Sequence, residues 1–130
     1  MSEFRLRKSE KLCDKLTISK VFASGKFLRE YPIAAHFLEG EHEDEFIKVL
    51  FSVPKKKFKN AVKRNRLKRQ MREAYRLHKS KLIEVFKNRN TSLSLVIIWN
   101  KSEILPYSVI EKKIIAILDR LSEMHEKNIR

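Results

Sequence analysis

The sequence predicts an α/β sandwich of two layers, with helices packed on one face of a small mixed sheet. Three observations carry that expectation. Segments with period-two hydrophobic alternation are interleaved with segments of helical period, in the order helix, strands, helix, strand, helix. At 130 residues with 42% hydrophobic content, the chain suits a single domain, 1–130, with a core of its own. No internal repeat and no Pro- or Gly-rich linker divides it.

The elements follow in order. Thr17 to Ser24 reads as a short helix, with Thr17 as N-cap, Ile18, Val21 and Phe22 on one face and Gly25 just past the end. Phe27 to Leu38 reads as a strand whose Ile33, Ala35 and Phe37 face opposite Ala34, His36 and Leu38. Phe46 to Val53 is a second strand, with Ile47, Val49, Phe51 and Val53 on one face and Pro54 ending it. Asn60 to about His78 has helical period. Leu93 to Trp99 is an apolar run with β-branched Val96, Ile97 and Ile98, short enough for a buried strand. Pro106 opens a last helix with Ile110, Ile114, Ile117, Leu118 and Leu121 along one stripe.

Composition narrows the chemistry. Thirty Lys and Arg face sixteen Asp and Glu, a formal charge of +14, which calls for a polyanionic partner because each neutralised phosphate releases condensed counterions. Gly25 and Gly40 are the two glycines, so no Gly-rich phosphate cradle is available. The lone Cys13 excludes a disulfide framework or a thiolate zinc site and is expected to be a buried or idle thiol. The apolar run Leu95 to Trp99 is too short to span a bilayer and Met1 to Leu16 lacks a signal-peptide core, so the expected location is cytoplasmic.

The charge is concentrated. Residues 55 to 81 hold thirteen Lys and Arg against one acid, Glu73, a net +12 of the +14. Acid crowds into Glu39, Glu41, Glu43, Asp44 and Glu45, which reads as a solvated, poorly ordered hairpin turn; a divalent-ion site is the other reading, although the spacing of a calcium loop is missing.

On the central helix Leu67, Met71, Ala74, Tyr75 and His78 form an apolar stripe, while Asn65, Arg69, Arg72 and Arg76 cluster on the opposite side with Arg66 and Lys68 flanking them. Like charges at i,i+4 repel by a few tenths of a kcal/mol per pair. A polyanion offsets that, and arginine's planar fork favours phosphate and nucleic acid. A lipid-facing role is disfavoured, because the apolar residues opposite are needed by the core. DNA and RNA stay unseparated on these grounds, although no zipper heptads or helix-turn-helix spacing accompany the basic stretch. A groove between the first helix and the sheet, where Phe22, His36 and Phe51 with Lys55 and Lys56 meet an unpaired strand by stacking, is the second candidate surface; each ring also suits the core.

The run Ser52-Val53-Pro54-Lys55-Lys56, then Asn60 through Arg69 (Asn-Ala-Val-Lys-Arg-Asn-Arg-Leu-Lys-Arg), then Arg72-Glu73-Ala74-Tyr75-Arg76, resembles the signature of the bacterial ribonuclease P protein component. Arg5-Leu6, Lys8, Val21-Phe22, Gly25 and the total length extend the likeness more weakly. The resemblance implies a four-stranded mixed sheet with about three helices in the order α-β-β-β-α-β-α, the basic helix in a left-handed crossover. It implies a protein subunit that binds a large catalytic RNA and helps it remove the 5′ leader of precursor tRNA, an endoribonuclease whose chemistry belongs to RNA and Mg2+; no membrane is expected as a partner and no protein partner is evident in the sequence. It also implies that Arg64, Asn65, Arg66, Lys68, Arg69 and Arg72, with Arg76 on the same ridge, contact the catalytic RNA. Phe22, His36, Phe51, Val53, Lys55, Lys56 and Asn60 then line a cleft for the single-stranded leader.

Departures from the family pattern are Ile18 for a customary Phe, His36 for another aromatic, Pro54 for a small residue, Lys59 for Gly, and one extra residue between Lys56 and Asn60. The loop before the helix is expected to differ in shape. A generic structured-RNA-binding or ribosomal-type protein is the alternative. A protein-only phosphodiesterase using Glu43, Asp44 and Glu45 is a third reading, although His36, His42, His78 and His125 lie on separate elements and supply no acid-base pair.

Overall fold

Period-two burial along the strands divides the sheet into two differently covered faces. The structure, a computed structural model, describes residues 6–127, with side chains to residue 124; Arg5 and the side chain of His125, both named above, lie outside the described residues. Strands β1 (Lys26–Glu30), β2 (Ile33–Glu39), β3 (Ile47–Ser52) and β4 (Leu93–Trp99) lie in the order β1-β2-β4-β3. β2 is antiparallel to both β1 and β4, and β3 runs parallel to β4. A parallel pair needs a long crossover. Helices α2 (Ala61–His78) and α3 (Ser80–Arg89) supply it, with α1 (Lys15–Ser24) before the sheet and α4 (Tyr107–Lys127) after it.

The expected strand from Phe27 to Leu38 is in fact two. The chain reverses at Tyr31-Pro32, joined by a cis peptide bond, and Lys26↔Phe37 through Glu30↔Ile33 pair across the hairpin. Tyr-Pro carries none of the Asn-Gly or Asp-Gly signal of a tight hairpin, so alternation read straight through the turn. The acidic segment is likewise not a hairpin turn. It carries the chain from β2 to β3 past the start of β4, which lies between them, and it is pinned there by Gly40 N–H donating to Ser92 O (2.9 Å) and by His42 Nε2 at 3.0 Å from Leu93 O.

Ile33, Ala35 and Phe37, Ile47, Val49 and Phe51, and Leu93, Leu95, Ile97 and Trp99 face one side, where they meet Leu67, Met71, Ala74 and Tyr75 of α2, Leu82 and Phe86 of α3, and the Ile110-to-Leu121 stripe of α4. The residues between them face the other side, where Val21 and Ile18 of α1 pack with Leu12, Leu38, Leu50, Val96 and Ile98. The helices on the first face are the expected layer; α1 covers part of the second and leaves the rest of the sheet open.

Local chemistry sets the helix ends. The cap of α1 is Asp14 rather than Thr17: its carboxylate accepts from Thr17 N–H (3.2 Å) and from the Thr17 hydroxyl (2.6 Å), which holds the carboxyl below its usual pKa. At Gly25 any Cβ would press on the carbonyl oxygens of Val21 and Phe37 (2.5 Å for the latter), so close backbone approach explains this glycine. α3 was hidden in the sequence because Lys79 keeps helical dihedrals (φ −74°, ψ −20°) between two helices, with no Pro or Gly to mark the break.

Candidate nucleic-acid interface

The buried stripe of α2 fixes what its other side shows. Leu67, Met71, Ala74 and Tyr75 are fully buried, so Asn65, Arg66 and Arg69 stand exposed and Lys68 and Arg72 half-buried beside them. Arg66, Lys68, Arg69 and Arg72 form neither an ion pair nor a side-chain hydrogen bond with the described residues. Four positive groups fixed on a rigid helix without counter-charges make an anion-binding ridge.

Several other residues singled out in the sequence, Arg76 and Arg64 of the RNA-contact set and Asn60 of the leader cleft among them, are occupied. Arg76 binds Glu73 through Nη2–Oε1 (2.6 Å) and Nε–Oε2 (3.0 Å), which lowers the carboxyl pKa and raises that of the guanidinium. Arg64 folds back, its Nη1 donating to Phe58 O (2.6 Å) and Lys59 O (2.9 Å). Asn60 is the N-cap, its Oδ1 accepting from Val62 N–H (2.8 Å) and Lys63 N–H (3.3 Å). His78, placed on the apolar stripe by its spacing, pairs instead with Glu111 of α4 (2.9 Å). Lys79, counted in the basic cluster, is buried against Glu10.

The second predicted surface divides in two. Phe51 and Val53 are buried among the helices, Phe51 edge-on to Tyr75 with centroids 5.8 Å apart. Strand parity puts them on the face that α2 covers, so they cannot line an open cleft. Phe22 and His36 are on the open face, with ring centroids 4.9 Å apart, and Phe27, opposite His36 across β1–β2, stacks on it at 5.6 Å and 27°. Phe22 and Phe27 are 49% and 59% exposed, so two large rings face solvent about a partly buried imidazole. Partial burial holds the His36 pKa below its usual value, which favours the neutral, stackable ring. Phe27 was missed as a site residue. Its mark in the sequence is an aromatic at the strand edge in register with His36, legible only once the hairpin is known.

From there the open face runs along Arg29, Ala34, Ile98 and Ser52, one row across all four strands. The loop after β3, where Pro54, Lys59 and the extra residue fall, is held by contacts of its own. Phe58 is buried in the main core, Arg64 clamps the Phe58 and Lys59 carbonyls, and Lys55 and Lys56 are left exposed on a turn closed by Lys57 N–H to Pro54 O (3.0 Å). Phe58 thus anchors the loop in the core, and the exposed cations are carried outside it.

The acids do not converge. Asp44 pairs with Lys48 (2.9 Å), Glu41 with Lys20 (3.2 Å), and Glu45 with Arg7 (3.3 Å) and the Ser9 hydroxyl. Among the described residues no group of three or more His, Cys, Asp or Glu is arranged to hold a metal, and none of the described helices is long and apolar enough to cross a membrane. Cys13 is exposed rather than buried.

Comparison with known proteins agrees with the geometry. The family model described as Ribonuclease P matches residues 6–122. A ribonuclease P protein component of Porphyromonas gingivalis is 37% identical over 120 residues, 92% of this chain and 88% of that protein. One from Chlorobium phaeobacteroides is 40% identical over 81 residues, 59% of this chain and 56% of that protein. The fold is shared with the Staphylococcus aureus RNase P protein (TM-score 0.71, 19% identity, 87% of this chain and 95% of that one) and the Thermotoga maritima RNase P protein (TM-score 0.68, 22% identity, 85% and 96%).

Proposed function

This chain belongs to the ribonuclease P protein family, and from that premise we propose that α2 docks on the catalytic RNA while the open face of the sheet holds the unpaired 5′ leader of precursor tRNA. As the protein component of ribonuclease P the chain is a subunit of an endoribonuclease of tRNA 5′ maturation, and the enzyme's RNA is its partner. The observation that carries the docking is the ridge of Arg66, Lys68, Arg69 and Arg72, left without counter-ions among the described residues on a helix whose opposite side is core. Guanidiniums so held lose little freedom on meeting phosphates, and each contact releases counterions.

The leader reading is supported by Phe22, Phe27 and His36. Rings on an open surface stack any base, which suits leaders of varied sequence. Lys55 and Lys56 supply charge from the loop after β3. The protein's own residues bind and orient. Mg2+ belongs to the RNA on this reading, since Glu41, Asp44 and Glu45 each pair with a separate cation and the described residues hold no group of three or more acids, His or Cys arranged for a shared ion. The working location is the cytoplasm, where precursor tRNA is made.

The test is affinity for the catalytic RNA across a salt titration. Arg66→Ala and Arg69→Ala each weaken binding by about 1–3 kcal/mol and flatten the salt dependence by roughly one contact. Unchanged affinity in both variants would remove α2 from the interface.

A further inference from the structure

All four strands meet one end of the sheet at β1–β2 and just after β3 and β4, and a depression of about 420 Å³ lies there, lined by Tyr31, Lys57, Asn100, Lys101, Ser102 and Glu103. We propose that this depression is a nucleotide-binding notch that takes one further unpaired residue of the leader, its base on the Tyr31 ring and its phosphate between Lys57 and Lys101. The inference rests on the leader reading above and extends its path beyond the aromatic trough.

Three features argue for an RNA strand. The Tyr31 ring is 56% exposed at the hairpin turn, where a large aromatic has no core to fill. Lys101 Nζ stands 5.6 Å from that ring's centroid, so a base stacked there would lie against a cation. Lys57 and Lys101 come from two different loops. The Asn100 N–H to Pro32 O bond (2.7 Å) ties the β4 loop to the hairpin, so the notch is built before any ligand arrives.

One acid lies within it. Glu103 accepts from Lys101 at 2.9 Å and the Tyr31 side chain takes a second hydrogen bond from it, which leaves one of the ammonium's three donors for a phosphate. Register supplies the continuity: Arg29, Ala34, Ile98 and Ser52 form the last complete row of the open face, and Tyr31, Asn100 and Lys57 lie just beyond its ends. The volume is within the range of small-ligand sites.

The experiment measures precursor-tRNA affinity of the reconstituted ribonucleoprotein against leaders lengthened one nucleotide at a time, with wild type, Tyr31→Ala, Lys101→Ala and Glu103→Gln. Wild type gains affinity with each nucleotide, and Tyr31→Ala and Lys101→Ala lose about five-fold or more on long leaders, the lower end for one lost base–aromatic stack, while short leaders bind as before. Glu103→Gln binds long leaders more tightly, because the acid opposing the phosphate is gone. Equal affinity of all four proteins at every length would overturn the notch while leaving the trough intact. Losses independent of leader length would assign Tyr31 and Lys101 to another partner and overturn it too. A wild type indifferent to the leader altogether would instead sink the parent reading, a result separable from both.

Discussion

Lys79 Nζ lies 2.8 Å from Glu10 Oε1 with both side chains buried, which joins the α2–α3 junction to the short 3₁₀ turn Lys8–Glu10 ahead of α1. The same carboxylate accepts from the Arg7 backbone N–H at 2.8 Å. A buried charge stripped of its partner is costly, whereas replacing both by apolar groups is often tolerated. Lys79→Met alone therefore costs about 3 kcal/mol of stability, and Glu10→Leu with Lys79→Met recovers most of it. Chemical denaturation of the three variants against wild type checks this, and a double variant no better than the single one would refute the pairing.

Phe51 and Phe22 separate core from surface. Phe51→Ala removes a ring packed on Tyr75 and costs about 3–5 kcal/mol of stability. Phe22→Ala leaves the melting temperature nearly unchanged and weakens affinity for leader-bearing precursor. Thermal melts and substrate titrations on the same preparations distinguish the two.

His36 makes stability depend on pH. Its folded pKa lies below the unfolded value, so its contribution is complete where both states are neutral. Below about pH 6.5 the unfolded chain takes up the proton first, and stability falls as pH drops through the folded pKa. His36→Phe flattens the acid side of the stability profile, read as melting temperature against pH, while keeping a ring in the trough.

Asn60 caps α2, so Asn60→Ala costs about 1 kcal/mol and Asn60→Asp keeps the cap. Equal destabilisation by both substitutions would deny the capping role.

Periodicity made the strands and the two long helices legible, and Leu93–Trp99 and the Ile110-to-Leu121 stripe are where the sequence analysis put them. The ridge of α2 was legible for the same reason, since one buried stripe determines the opposite face. What period alone could not resolve was pairing. The Tyr31-Pro32 turn and the position of β4 between β2 and β3 decide which rings share a face, and so put Phe27 in the trough and Phe51 in the core. Side chains that turn back on the backbone or pair locally, as Arg64 and Arg76 do, look in sequence like any other member of a basic patch.

The central claim, that the cations of α2 seat this protein on a catalytic RNA, is tested most directly by 5′ processing of precursor tRNA at low Mg2+ with the RNA alone, with wild-type protein, and with Arg66→Ala/Arg69→Ala. Wild type should accelerate cleavage strongly and the double variant should give most of that gain back while melting like wild type. No acceleration by wild-type protein, or full acceleration by the double variant, would contradict it.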